Sequence, residues 1–411
     1  MSDMTLSEEL QWRGFVNQTT FENIKDIDKQ KWTFYHGFDA SADSQTVGNL
    51  AGMMFDKVLM RHGNKAYILA GGATSLIGDP IWKDAERPLQ DEATIAHNVE
   101  NAKKQLQQIF KGYDFTLVNN LDWTKDLTVI RFLRDIGKHF SMTPLIQRDY
   151  MATRLGDGGT GISFTEFTYT LLQGMDFLHL FDNYGVTLQV GSSDQWGNCL
   201  SGVELIRRSR GAEAHVLTHP LVINKATGKK FGRSEAGAVW LDQAKTSPND
   251  FYQFWINADD AGVEEYLKVY TELDKPTIDG IMQEHRQNPK ARTAQTKLAE
   301  EITKLVHGEQ AVTNAQKAAT ELTGGDISGD SSLVKKYGRD AAFGDLAALL
   351  ESSGLASSKS EARRLLESGG IYVNDAKATK NNLEQTDFTD GRAKLRRGKT
   401  LKNSVIIELT D

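Results

Sequence analysis

The sequence predicts an α/β protein: a doubly wound parallel sheet wrapped by helices, then a helical subdomain, then a small α+β unit. Three observations lead there. Residues 31–240 alternate short apolar runs with amphipathic stretches, the pattern of a parallel sheet covered on both faces. From Pro248 to about Leu322 the strand pattern stops while apolar residues keep helical spacing. The stretch 323–338 is rich in Gly, Ser and Asp, which is linker chemistry, and a compact pattern resumes near Ala342. The expected divisions are 1–245, 246–322, a linker at 323–341, and 342–411.

In chain order, Trp32–Phe38 reads as a strand, followed from about Asn49 by a helix in which Leu50, Met53, Met54 and Val58 share a face. Ala66–Ala70 is the next strand, closed by Gly71 and Gly72. Ile95–Phe110 reads as an amphipathic helix, Phe115–Val118 as a strand and Val129–His139 as a helix. Thr187–Val190 is a strand running into a loop, with a helix over Asn198–Arg208. Phe251, Phe254, Leu267, Ile281, Leu298, Ile302 and Leu305 mark the helical stretch. Near the end, Ser358 with Glu361 opens a helix, Gly369–Gly370 closes it, and Ile371–Val373 is a strand before a turn at Asn374–Asp375.

Composition narrows the class. With 411 residues, 39% apolar and 25% charged, the chain can build two or three cores. No apolar run approaches the roughly 18 residues of a membrane span. The start, Met1–Trp12, carries Asp3, Glu8 and Glu9 and no basic, then apolar, leader pattern, which argues against secretion. The single cysteine, Cys199, excludes an intramolecular disulfide framework and reads as a buried, inert thiol, which suits a reducing cytoplasm. Net charge is −7, unevenly spread: Ser331–Asp411 holds 14 Lys+Arg against 11 Asp+Glu. A weakly basic tail on an acidic body allows local RNA contact without indiscriminate polyanion binding.

Four stretches carry chemistry. In Tyr169-Thr-Leu-Leu-Gln173-Gly-Met-Asp176, positions i, i+4 and i+7 lie within about 60° on a helix and make one polar stripe. Such a stripe among Leu171, Leu172, Met175 and Phe177 costs stability unless each member has a partner. It is either a buried hydrogen-bond network or the wall of a polar small-molecule pocket. The run Gly37–Asn49 joins a strand end, a polar loop and a glycine entering a helix, where backbone N–H groups can meet an anion. Lys229-Lys-Phe-Gly-Arg-Ser234 clusters cations on a glycine-containing loop, fit for a polyphosphate or simply solvated. Gln189–Asn198 is a polar run at the carboxyl end of a strand, where open α/β sheets place ligands.

In this order, the four stretches resemble class I aminoacyl-tRNA synthetases, and specifically the bacterial-type tyrosine family. Residues 46–49 stand at the His-x-Gly-His signature, and Lys230-Phe-Gly-Arg-Ser234 at the Lys-Met-Ser-Lys-Ser signature. Further runs match in register: Gly71–Thr74, Gly78–Pro80, Ala85–Arg87, Val118–Asn120, Gly161–Phe167 and Gly237–Asp242. The part from about 342 resembles the S4-type RNA-binding module of bacterial members. The resemblance implies a Rossmann-like catalytic domain, a helical tRNA-binding subdomain and an S4-like end. It also implies a homodimer, with an interface around Val129–His139, and partners limited to tRNA(Tyr), L-tyrosine and ATP with Mg2+, without membrane or DNA.

The resemblance implies roles as well. Tyr35 and Asp176 would bond the substrate phenol, Asp79, Tyr169 and Gln173 its ammonium group, and Gln195 its carboxylate. Asp39, Gly48, Asn49 and Asp194 would touch ATP, the last two at the ribose. Ser41, Thr46, Lys83, Arg87, Lys230 and Arg233 would stabilise the departing pyrophosphate. The chemistry is consistent with that set. A carboxylate is already a nucleophile, so adenylate formation needs in-line positioning and positive charge on the phosphates rather than a protein base. A site built to bond a hydroxyl rejects the analogue lacking it, tyrosine enzymes being the standard example.

Three features depart from the family pattern. Thr46 and Asn49 replace the two signature histidines, Arg233 replaces a lysine, and Ser192 stands at a usual glycine. His36 and Gln45 are candidates to compensate for Thr46, each with an uninvolved core or surface role as the alternative. Two other activities compete: the tryptophan enzyme of the same fold, and a catalytically weakened homologue kept as an RNA-binding protein.

Overall fold

A computed structural model describes residues 4–80, 89–231, 237–322, 334–398 and 404–410. By internal contacts the chain divides into two compact units, Met1–Thr246 with Trp255–Val306, and Ser247–Phe254 with His307–Asp411. The helices expected to form one subdomain at 246–322 are therefore shared between the two units.

The first unit is built on five parallel strands: β1 (Thr33–Asp39), β2 (Lys65–Gly71), β3 (Phe115–Asn119), β4 (Leu188–Ser192) and β5 (His215–His219), in spatial order β3-β2-β1-β4-β5. Helices Val47–Arg61, Glu92–Ile109, Phe164–Tyr184 and Trp196–Arg210 make the crossovers. Because β2 is covered on both faces, it is buried throughout after Lys65, without alternation, while β1 is buried over Phe34–His36 and opens at Gly37 and Asp39 toward its carboxyl end. One face packs Tyr35, Tyr67, Leu69, Met175, Phe177, Leu180 and Leu205 together. Strand boundaries fall within two residues of those read from the sequence, and Asn98, Val99, Ala102, Leu106 and Ile109 form the buried face of the Glu92–Ile109 helix.

The segment Val129–His139 departs from expectation. It winds as a short α-turn at Val129–Arg131, a π-turn at Phe132–Ile136 and a 3-10 turn at Gly137–His139. Apolar spacing alone does not distinguish these windings, and Gly137 offers little resistance to the change. Only Ile136 is buried there, while Val129 and Ile130 are each 71% exposed.

The second unit contains a five-stranded sheet of β6 (Val334–Gly338), β7 (Ile371–Val373), β8 (Ala376–Lys377), β9 (Arg392–Arg397) and β10 (Ser404–Thr410), ordered β6-β10-β9-β7-β8. Residues 334–341 are thus structured, which shortens the expected linker. Val334–Gly338 pairs in parallel with β10, but its burial does not alternate and Tyr337 is its one side chain against the core, so the pattern is too weak to read. Ser358 caps the Lys359–Glu367 helix by accepting from the Glu361 N–H at 3.2 Å. Glu361 itself turns to Ser357, so the cap is one-sided rather than a reciprocal box. Asn374 and Asp375 take φ of 45° and 68°, as a two-residue hairpin turn requires. No helix among the described residues is long and apolar enough to cross a membrane.

Candidate active site

Strand order reverses between β1 and β4, since β2 and β3 follow on one side and β5 on the other. At that switch point the carboxyl ends of neighbouring strands diverge and leave a crevice. A cavity of about 360 Å³ opens there. Its wall includes Tyr35, Asp39, Ser41, Thr46, Gly48, Asn49, Asp79, Tyr169, Gln173, Asp176, Asp194, Gln195 and Lys230. All the expected site residues that are described therefore come together, from five separate stretches of chain. Lys83, Arg87 and Arg233 lie outside the described residues.

The floor is set by register. Tyr35 on β1 pairs with Gln189 on β4, so their side chains leave the sheet on the same face. Both are buried, and Tyr35 Oη and Gln189 Oε1 have no partner among the described residues. Two orphaned polar atoms side by side under a cavity are costly unless a ligand completes them. Opposite them, the Phe164–Tyr184 helix presents Tyr169, Gln173 and Asp176, the polar stripe read from the sequence. Gln173 Oε1 is likewise without a partner.

Asp176 is fully enclosed and held at both oxygens. Asn120 Nδ2 donates to one at 2.9 Å and Trp123 Nε1 to the other at 2.8 Å. Burial raises this carboxyl to about 7, even though both donors favour the charged form. Burial, together with Cys199, Asp176 and Tyr169, pushes the Tyr35 phenol well above its ordinary range. The inert thiol expected at Cys199 is buried beside the same cavity, and burial pushes it up as well. Asn120 and Trp123 are the functional residues that sequence reasoning missed. The first lay inside a recognised run, Val118–Asn120, but nothing in the sequence ties it to position 176.

Beside this end, Gln195 Nε2 donates to Asp79 Oδ2 at 2.7 Å, and Asn198 Nδ2 approaches Gln195 Oε1 at 3.3 Å. Asn198 is fixed in turn by the Thr170 hydroxyl at 2.8 Å. The amide of Gln195 is thereby oriented with its donors toward Asp79.

At the other end, the Val47–Arg61 helix points its N-terminus into the cavity. Asn49 Oδ1 accepts from the backbone N–H of Thr46 at 3.0 Å and from its hydroxyl at 2.9 Å. The two residues that replace the signature histidines thus bond each other, and the Asn49 amide nitrogen is left as a donor. Asp39 Oδ1 accepts from Ser41 N at 3.0 Å and Ser75 Oγ at 2.7 Å. Ser192 Oγ donates to Asp194 Oδ1 at 2.5 Å, so the extra hydroxyl braces Asp194. His36 is also on the wall, with Nδ1 2.9 Å from the buried Asp56. Gly52 makes room for it: a Cβ there would stand 2.9 Å from His36 Cε1. Burial raises the Asp56 carboxyl and lowers neighbouring His219 to about 4. The Gln45 amide donates to the Asp39 carbonyl at 2.9 Å, a bond within the loop.

Lys230 sits on a hairpin. Asn224 N donates to Lys229 O at 2.9 Å and Phe231 N to Val222 O at 3.0 Å, with Gly228 at φ 67° in the turn. The Phe231 ring lies 5.3 Å from Tyr266 and 5.8 Å from Trp255. Downstream, Val47 N donates to Val239 O at 3.0 Å and Leu241 N to Gln45 O at 2.9 Å. The segment after the cationic loop is therefore strapped to the start of the signature helix.

A parallel sheet with its cavity at the strand-order reversal, lined by a helix N-terminus and a lysine hairpin, defines a class I nucleotide-binding site of the synthetase kind. The family description "tRNA synthetases class I (W and Y)" matches residues 28–323, and that of the S4 domain residues 346–384. The chain belongs to the bacterial-type tyrosyl-tRNA synthetases within that class. It is 45% identical over 386 residues to the tyrosine–tRNA ligase of Geobacillus kaustophilus, covering 90% of this chain and 91% of that protein. It is 42% identical to that of Roseiflexus castenholzii over 417 residues, covering 96% and 97%. Among solved structures, a C-terminally truncated mitochondrial tyrosyl-tRNA synthetase of Aspergillus nidulans superposes with TM-score 0.70 at 29% identity, over 77% of this chain and 94% of that one.

Proposed function

We propose that the protein is a tyrosine–tRNA ligase. The tyrosine carboxylate attacks the α-phosphorus of ATP, the bond to pyrophosphate breaks, and tyrosyl-adenylate forms. A ribose hydroxyl at the 3′ end of tRNA(Tyr) then attacks the adenylate carbonyl, and AMP leaves. The observation that carries this reading is the unpartnered Tyr35 hydroxyl in a cavity shared with an Asp176 carboxylate held by two donors.

In this reading the phenol donates to Asp176 and accepts from Tyr35. Asp79, Tyr169 and Gln173 take the ammonium group, and Gln195 takes the carboxylate. Asp39, Gly48, Asn49 and Asp194 hold ATP. Ser41, Thr46, Lys83, Arg87, Lys230 and Arg233 stabilise charge on the leaving pyrophosphate, with magnesium arriving on the nucleotide's own phosphates. No group in this set needs to act as a general base. A cytoplasmic enzyme fits the single buried thiol.

Tyrosine-dependent exchange of pyrophosphate into ATP tests the first step, with phenylalanine and tryptophan run in parallel. Exchange with tyrosine alone is the expected result. Exchange with tryptophan, or with none of the three, overturns the proposal.

A homodimer is the proposed assembly, supported by the apolar surface of Val129, Ile130 and Leu133, which are 71%, 71% and 50% exposed. Replacing Ile130 and Leu133 together with Asp should give monomers in sedimentation, and an unchanged mass would remove this interface.

A further inference from the structure

The indole of Trp123 is held in an unusual setting. It lies on Leu121–Thr124, a single turn after β3 in which no residue is buried. The half-buried indole packs at the edge of the core cluster that holds Tyr35, Tyr67 and Phe177, and its Nε1 meets Asp176 Oδ1 at 2.8 Å. The only ring stacked face to face on the indole, among the described residues, is His179, with centroids 4.3 Å apart and planes 12° from parallel.

Asp176 and His179 are three residues apart on the Phe164–Tyr184 helix and so share a face. That face grips one indole twice, at its N–H edge through Asp176 and on its ring face through His179. Behind His179 aromatic contacts continue, though tilted rather than stacked: the Tyr184 ring is 6.1 Å away at 57°, and Tyr184 in turn is 5.1 Å from Tyr67 on β2 at 39°. Tyr67 pairs in register with Tyr35, the other residue of the phenol site. The aromatic column therefore runs from the indole that holds Asp176 back to the strand beside Tyr35. Asn183 Nδ2 donates to the His179 carbonyl at 2.8 Å and approaches its Nδ1 at 3.4 Å, which limits rotation of the ring.

We propose that His179 is a positioning residue for amino-acid selection, its ring fixing the Trp123 indole so that Nε1–H holds one oxygen of Asp176 and the carboxylate faces the substrate phenol. It acts through Trp123 and touches no substrate atom. The inference rests on the reading of Asp176 as the phenol acceptor. With the indole free to swing, Asp176 keeps only the Asn120 donor. The carboxylate is then less firmly aimed and more readily protonated, because a hydrogen bond to the charged form is lost in a buried place. The groups facing Asp176 are Asn120, Trp123 and Tyr35, and those facing His179 are Trp123, Tyr184, Asn183 and Asp182.

The test uses the full chain in pyrophosphate exchange, with three variants. His179→Ala removes the ring, His179→Leu replaces its bulk without a planar face, and His179→Phe restores the face without the nitrogens. The expected result is a drop of about tenfold in the tyrosine-over-phenylalanine ratio of kcat/KM for Ala and Leu, from the loss of one charge-assisted bond. The acidic limb of the tyrosine pH profile should move upward in both, KM for ATP should stay as in the parent, and Phe should recover ratio and profile together. Parental ratios in Ala and Leu overturn the proposal, and so does a Phe variant as impaired as Ala. Failure of the underlying reading looks different: Asp176→Ala would then leave tyrosine exchange intact.

Discussion

At the scale of single residues, Asp176 combines two properties that sequence can only half announce. The stripe Tyr169, Gln173, Asp176 was legible because helical periodicity places i, i+4 and i+7 together whatever the tertiary fold. Its partners were not. Asn120 and Trp123 precede Asp176 by 56 and 53 positions, at the start of and within a single half-buried turn without periodicity, and only the sheet topology brings them close. Burial that holds the carboxyl at about 7 also has a stability consequence. Its folded value stands above the roughly 3.9 of an unfolded aspartate, so the favourable protonated form is fully present below the unfolded value. That stability is lost as pH rises through about 7. Against Asp176→Asn, which cannot ionise, the wild type should lose relative stability between pH 4 and pH 8, by at most on the order of 4 kcal/mol. Thermal melts of both proteins across that range check it, and a constant gap would sink the claim. Activity should run the other way in the wild type, falling at acid pH as the phenol acceptor is protonated.

At the scale of elements, strands and long helices were legible because burial on both faces and 3.6-residue periodicity leave strong marks. The winding of Val129–His139 and the strand Val334–Gly338 were not, since exposed apolar residues and a lone side chain against the core leave weak ones. The two signature positions illustrate the same limit. Sequence registers Thr46 and Asn49 as departures, whereas the structure makes them a bonded pair at a helix start. The hairpin bearing Lys230 is held at its base by Phe231 among Trp255, Tyr266 and Tyr270. A lysine that acts late in a reaction depends on that anchor, while the tyrosine end rests on the sheet and does not. Phe231→Ala should therefore lower kcat for pyrophosphate exchange about tenfold and leave KM for tyrosine unchanged, the signature of an interaction made only in the transition state. Phe231→Leu should recover most of the rate. Steady-state kinetics decide, and an unaltered kcat in the Ala variant would remove the anchor from the mechanism.

At the scale of the whole molecule, charge is used in two different ways. In the first unit one cluster of ionic groups, around Glu9 and Arg13, is buried and mutually satisfied. Glu9 binds Arg13 at 2.8 Å, His62 at 2.8 Å and Arg61, and Arg13 also donates to the carbonyls of Lys268, Thr271 and Leu273. Burial alone would raise the Glu9 carboxyl, but these bonds hold it at about 2. In the second unit Arg363 and Arg397 are paired at the surface, whereas Lys394 and Arg396 are more enclosed. Arg363 is 3.8 Å from Asp345, Arg397 2.9 Å from Glu361, and Lys394 and Arg396 are each 3.4 Å from Asp375. Arg364 has no side-chain partner among the described residues, and Lys399 lies outside them. Exposed pairs such as those of Arg363 and Arg397 are worth at most about 1 kcal/mol, so a phosphate can displace the acidic partner at little cost. Arg363, Arg364 and Arg397 belong to one end of this unit, the first two on the Lys359–Glu367 helix and the third bonded to its Glu361. Replacing all three with Ala should weaken tRNA binding and flatten its dependence on salt, by about 0.7–0.9 in log–log slope for each phosphate no longer neutralised. Adenylate formation should be untouched, because none of the three lines the cavity between β1 and β4. Filter binding of tRNA over a salt series, beside pyrophosphate exchange, separates the outcomes. An unchanged slope would place the RNA contact elsewhere, and a fall in both activities would mark these arginines as supports of the fold.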